Sequence, residues 1–157
     1  AAPPAVPAVV EELPAPVVEP AAPAVPAPVA DAPKPAQKFD DMSHEQRVDF
    51  MKRVVLPTMK KEFAAADPED FADMKCVTCH GPGAKDKTFE MPNPDLPRRP
   101  GAGDQEGLKA LAEEEPEMLA FMKTKVVPMM AELLGEAPYD PKTGKGFGCF
   151  ACHTAEK

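Results

Sequence analysis

Two pentapeptides of one form, Cys76-Val77-Thr78-Cys79-His80 and Cys149-Phe150-Ala151-Cys152-His153, constrain this chain more than any other feature. Each reads C-x-x-C-H, the attachment pattern of a c-type haem. Together they hold all four cysteines and two of the three histidines. On a helical turn, residues i, i+3 and i+4 share one face. Both sulfurs can then reach the vinyl groups of one porphyrin while the imidazole reaches its iron. Cys76, Cys79 and His80 are assigned to one covalent haem c, and Cys149, Cys152 and His153 to a second. Two other chemistries use paired cysteines. A four-cysteine zinc site would have to draw together pairs separated by 69 residues, with no role for either histidine. A thioredoxin-like redox pair would sit in a βαβ pattern, and none surrounds these motifs.

The rest of the chain divides sharply. Residues 1–38 contain 12 Ala, 11 Pro and 7 Val. So much proline blocks both helix and sheet hydrogen bonding. The expectation is a disordered Pro/Ala/Val-rich spacer or tether, polyproline-II-like, reaching roughly 120 Å at about 3.1 Å per residue. Residues 39–157 are left as the folded unit. They hold all nine Met, one Tyr and no Trp, a modest organic core to which two haems would add apolar bulk. The net charge is −8, which argues against nucleic acid or an anionic membrane surface as partner. It suits a redox protein that docks through a basic patch.

Within 39–157 the pattern is all-α, with little or no sheet. Ser43 and Gln46 form a capping box, followed by Val48, Met51, Val55, Met59 and Phe63 at helical spacing. Pro57 predicts a kink or a restart in that helix. Asp67-Pro68 opens a second helix, which Cys76–His80 is expected to end. Residues 81–103, with five prolines, read as irregular, and Asp104 caps a short helix to Ala112. Pro116 starts another helix with Leu119, Met122, Val126, Met130, Leu133 and Leu134 on its face, stopped by Gly135. A turn-rich loop, 137–148, leads to the second motif. Gly144, Gly146 and Gly148 would allow a porphyrin close, Phe147 and Phe150 would pack on its edge, and Arg98, Arg99, Lys142, Lys145 and Tyr139 are candidate propionate partners.

The chain repeats itself. Residues 50–59 match residues 121–130 at an offset of 71, sharing Phe, Met, Lys, Val, Pro and a final Met. Each half, about 43–80 and 116–153, runs from a helix with Pro-x-Met through a connection to C-x-x-C-H. Duplication of a one-haem unit explains this. Four residues follow His153, so the second sixth ligand is expected upstream. Met130 is the candidate and Met59 its twin; the plain alternative is that both fill a helical core stripe. Met129, Met91 and His44 are weaker candidates, Met51 and Met122 read as packing, and Met74 lies too close to Cys76 to reach over the ring.

A helix bearing Met followed by C-x-x-C-H resembles the repeats of the multihaem cytochrome subunit of photosynthetic reaction centres and its non-photosynthetic relatives. The resemblance covers about residues 43–80 and 116–153, with two motifs here against four in that family. It implies helical methionines as sixth ligands and an electron-transfer function without catalysis. The expected protein is a periplasmic or otherwise extracytoplasmic dihaem electron carrier. Its export signal would have been removed, and its N-terminal segment could anchor it to a membrane. The alternatives are a haem subunit fixed in a larger respiratory or photosynthetic complex, and a haem enzyme or gas sensor with one open iron.

Overall fold

The computed structural model describes residues 37–156. The spacer expected over 1–38 therefore lies, but for Gln37 and Lys38, outside the described residues. Every regular element among the described residues is helical, and β-type pairing is confined to three isolated bridges.

The first helical run starts where its cap predicts. The Ser43 side chain accepts from the Gln46 N–H, and the Gln46 side chain accepts from the Ser43 N–H at 2.8 Å. These bonds satisfy donors that a helix start leaves orphaned. Helix α1 spans His44–Phe50, a π-helical turn spans Met51–Val55, and α2 spans Leu56–Ala66. Arg47 fastens the preceding turn by donating to Asp40 O at 2.6 Å and Met42 O at 3.1 Å.

Pro57 does not stop and restart the run. Phe50, Val55 and Leu56 all keep right-handed helical backbone angles. The helix widens instead. Leu56 N–H reaches back to Met51 O, one residue further than in an α-turn. Widening accommodates a ring that has no N–H to donate and would crowd the preceding turn. The second repeat solves the same problem identically. Helix α7 spans Pro116–Phe121, a π-turn spans Met122–Val126, and α8 spans Val127–Leu134, with Pro128 again just past the π-turn. The two π-turns stand at the sequence offset of 71. The sequence repeat therefore extends to backbone geometry.

Between the runs lie α3 (Pro68–Phe71), α4 (Cys76–His80), α5 (Gly83–Asp86) and α6 (Gln105–Glu114). Asp67 caps α3 through Glu69 and Asp70 N–H, and Asp104 caps α6 through Gly107 N–H. Helix α6 runs two residues beyond the expected Ala112. Helix α8 stops at Gly135 in a Schellman arrangement: Gly135, at φ +71°, donates to Glu132 O, and Glu136 donates to Ala131 O.

One core joins the repeats. Val55, Met59 and Phe63 from the first run pack with Met74 and with Met129 and Leu133 of α8. Phe63 stands edge-on to Phe71 at 4.9 Å and to Phe121 at 5.1 Å. The expected α8 face needs one change: Met129 is buried, while Met130 sits at the core's rim. Leu133 is the most enclosed side chain, at 0% exposure. Leu133→Ala is expected to cost about 2–5 kcal/mol in a urea unfolding curve. Truncating the exposed Lys123 should leave the midpoint within error.

Candidate haem sites

The first motif stands on its own one-turn helix rather than at the end of α3. Lys75 is extended (φ −133°, ψ 173°), which breaks the chain from the preceding turn and starts α4 afresh. Thr78 makes the restart possible. Its hydroxyl accepts from Lys75 N–H at 3.0 Å, and its own N–H donates to Lys75 O at 2.9 Å. Gly81 ends the turn at φ +53°, where side chains are strained.

The second motif has Ala151 where the first has Thr78, and no equivalent cap. Only a 3-10 turn forms, Cys149–Ala151, closed by Cys152 N–H to Cys149 O at 3.2 Å and His153 N–H to Cys149 O at 2.9 Å. The motif is held from outside. Asn93 N–H donates to Cys152 O, Arg99 N–H to Thr154 O and Glu156 N–H to Arg99 O, each at 3.0 Å. The His153 ring bonds Pro97 O through Nδ1 at 2.8 Å. Residues 93–99, read from sequence as part of an irregular stretch, thus form a rail along the second motif.

The same rail reaches the first motif. The Asn93 side chain donates from Nδ2 to Cys79 O at 2.9 Å. The Cys79 side chain packs against the core that contains Met59 and, at its rim, Met130. Phe89 stands edge-on to His80 at 5.5 Å and faces exposed His44 at 6.4 Å. Phe89 and Lys87 both take positive φ, 51° and 61°. Non-glycine strain of this kind gathers at functional sites. Neither Phe89 nor Asn93 drew notice in the sequence. For Phe89 the only local sign was its place in the loop after the first motif; for Asn93 it was the frame Pro92-Asn93-Pro94.

All four cysteines are free thiols. Among the described residues no three His, Cys, Asp or Glu side chains gather closely enough to hold a metal ion, so the thiols do not form the cluster that a four-cysteine zinc site requires. Burial is the main force on the buried groups. It pushes the Cys79 thiol up, helped by Cys76. It pushes Cys152 up to about 11, helped by nearby Cys79 and Cys149. Burial also lowers both histidines. For His80 the nearby Phe89 backbone partly opposes this, although Nδ1 itself finds no hydrogen-bond partner. For His153 the Pro97 bond and Glu115 oppose it, while Arg99 reinforces it. Both shifts favour the neutral ring, the form a metal ligand must take.

These features fit haem c. Each site offers free thiols at the right spacing and an imidazole whose burial favours its neutral form, and His153 keeps Nε2 free because Nδ1 is taken up by a carbonyl. Other expected partners are placed differently. Gly146 and Gly148 leave space that Pro138 and Tyr139 occupy, rather than an approach for a porphyrin. Arg99 pairs with Glu115 at 3.1 Å and is 15% exposed, whereas Lys142 and Lys145 are exposed. Of the methionines, Met59, Met74 and Met129 are core residues, and Met51, Met122 and Met130 lie around them. No protein-family model, curated protein or solved structure matches the chain.

Cys149 is exposed and Cys152 is not. In the reduced, haem-free chain, iodoacetamide at pH 8 should alkylate Cys149 at least about tenfold faster than Cys152, since the thiolate is the nucleophile. The raised Cys152 thiol also gives a pH signature. An unfolded cysteine ionises near 9.0 and this one near 11, so the stabilisation is complete below pH 9 and lost as pH rises through 11. The loss should be at most about 2–3 kcal/mol by urea unfolding. Thioether formation removes the titration, and the haem-loaded chain should show no such loss from Cys152.

Proposed function

We propose that this chain is an electron-transfer protein carrying two covalent c-type haems, one on Cys76, Cys79 and His80 and one on Cys149, Cys152 and His153. The observation that carries the reading is the complete attachment pattern occurring twice, on two motifs that hydrogen-bond the same residue, Asn93. A bound haem supplies a one-electron iron couple. The protein's part is to fix ligand orientation and exclude water. Pro97 O does so at His153 by holding Nδ1, which sets the tautomer and makes Nε2 the better donor. Packing against the core does so at Cys79.

Met130 and Met59 are the proposed sixth ligands. Each follows a Pro-widened π-turn at the same register, and π-turns recur at functional sites. A thioether opposite imidazole raises the potential and closes the iron to small molecules. The acidic charge supports a partner with a basic docking patch and no nucleic acid. Haem is attached to this pattern outside the cytoplasm in most systems, which supports a periplasmic or other extracytoplasmic setting. An N-terminal membrane tether, or a fixed place in a larger complex, is compatible with the same chemistry. The burial of Met59, at 4% exposure, favours a second reading, in which one iron stays open and the protein is a gas sensor or peroxidase.

An absorption spectrum with a haem-per-chain count tests the reading directly. The expected result is two haems and a sharp reduced α-band of haem c. A count of zero in protein matured in a host that attaches haem to C-x-x-C-H would end it. Met130→Ala should abolish at least part of the weak near-infrared ferric band that reports methionine ligation and should lower one potential. An unchanged band and unchanged potentials would remove Met130 from the iron. Rapid carbon monoxide binding by the reduced native protein would instead select the open-iron reading. For the carrier, the association rate with a basic redox partner should fall steeply as salt rises.

A further inference from the structure

Asn93 is the one buried polar residue among the described residues, at 2% exposure. It belongs to neither motif and to no helix. Its carbonyl accepts from Leu96 N–H at 3.3 Å, and its other three hydrogen bonds have a pattern that loop packing alone does not explain. Oδ1 accepts from Asp95 N–H at 2.9 Å, an ordinary local turn. The other two bonds go to the carbonyl of the second cysteine in each motif. Nδ2 donates to Cys79 O at 2.9 Å, and the backbone N–H donates to Cys152 O at 3.0 Å. Equivalent atoms of the two repeats thus meet on one residue.

Gly81 keeps the space clear. A Cβ there would lie 2.8 Å from the Asn93 amide, at a φ that already disfavours side chains.

We propose that Asn93 is a positioning residue that clamps the two cofactor sites into one unit, so that the state of one is felt at the other. This rests on the dihaem reading. Asparagine suits the role because it carries a donor and an acceptor on one short, uncharged side chain. Aspartate keeps the acceptor for Asp95 N–H but sets a carboxylate oxygen against Cys79 O. Alanine removes both side-chain bonds and leaves the Cys152 bond.

The test uses the full chain with Asn93→Asp and Asn93→Ala, beside Asp104→Ala, which removes a cap on α6 distant in sequence from both motifs. In the haem-loaded protein both Asn93 variants should keep two haems per chain. Their Soret circular-dichroism couplet should shrink, and the separation of their two midpoint potentials should change. Asp104→Ala should leave both as in the parent. A couplet and separation unchanged in both Asn93 variants would overturn the proposal.

In the reduced, haem-free chain, amide exchange supplies a second readout. Asn93→Asp should speed exchange in segments 76–81 and 149–156 together, by about tenfold, with α8 unchanged. Acceleration of one segment alone, or of all segments uniformly, would also overturn it. A parent protein with no haem would defeat the dihaem reading while leaving the exchange result to decide whether Asn93 is a clamp.

Discussion

A backbone segment without helix or sheet must still satisfy its polar groups, and in this protein that requirement ties the two candidate sites together. Residues 93–99 have no ladder of their own. Asn93 and Arg99 donate N–H groups to the chain around the second motif, Arg99 O accepts from Glu156, and Pro97 O accepts from His153. Buried backbone groups left unpaired are costly, so the segment and the motif each supply what the other lacks. The second motif is thereby held although its own sequence supports only a 3-10 turn.

The hydrophobic core does a different task. It joins the two helical runs but is small, with Leu133 alone fully enclosed. Its methionines are adaptable packing groups. Met59 and Met129 meet in one cluster from opposite repeats, and Cys79 lies against that cluster. The first site therefore borders the core, while the second is attached through hydrogen bonds. Helix packing and backbone pairing thus divide the work of holding two copies of one motif.

Local chemistry was legible in the sequence where one residue decides the outcome. Ser43, Asp67, Asp104 and Gly135 each start or stop a helix where their side chains or lack of one predict. Pro57 was legible only in part. A missing N–H tells that an α-turn fails there, but not whether the helix bends, stops or widens. In α8 the buried methionine is Met129 rather than Met130, whereas Met59, at the position in α2 equivalent to Met130, is buried as its helical spacing predicts. The roles of Asn93, Pro97 and Arg99 were not legible at all. Each acts through hydrogen bonds to residues dozens of positions away, and prolines on either side signal irregularity without naming a partner. The repeat, by contrast, was visible in residues 50–59 and 121–130 and reappears in the paired π-turns.

The two motifs share one pattern, but their surroundings differ. Thr78 lets the first fold on local hydrogen bonds; Ala151 leaves the second dependent on the rail. The His153 ring has a carbonyl at Nδ1, whereas the His80 Nδ1 is buried without a partner and meets the edge of Phe89 instead. A hydrogen-bonded imidazole is the more basic ligand and favours the oxidised metal. On the dihaem reading, the second site would therefore hold its electron less tightly than the first. A difference of that sign would give transfer between two haems a direction, from the rail-bound motif toward the one beside the core. That direction would arise from one phenylalanine and one carbonyl rather than from any difference between the two attachment patterns.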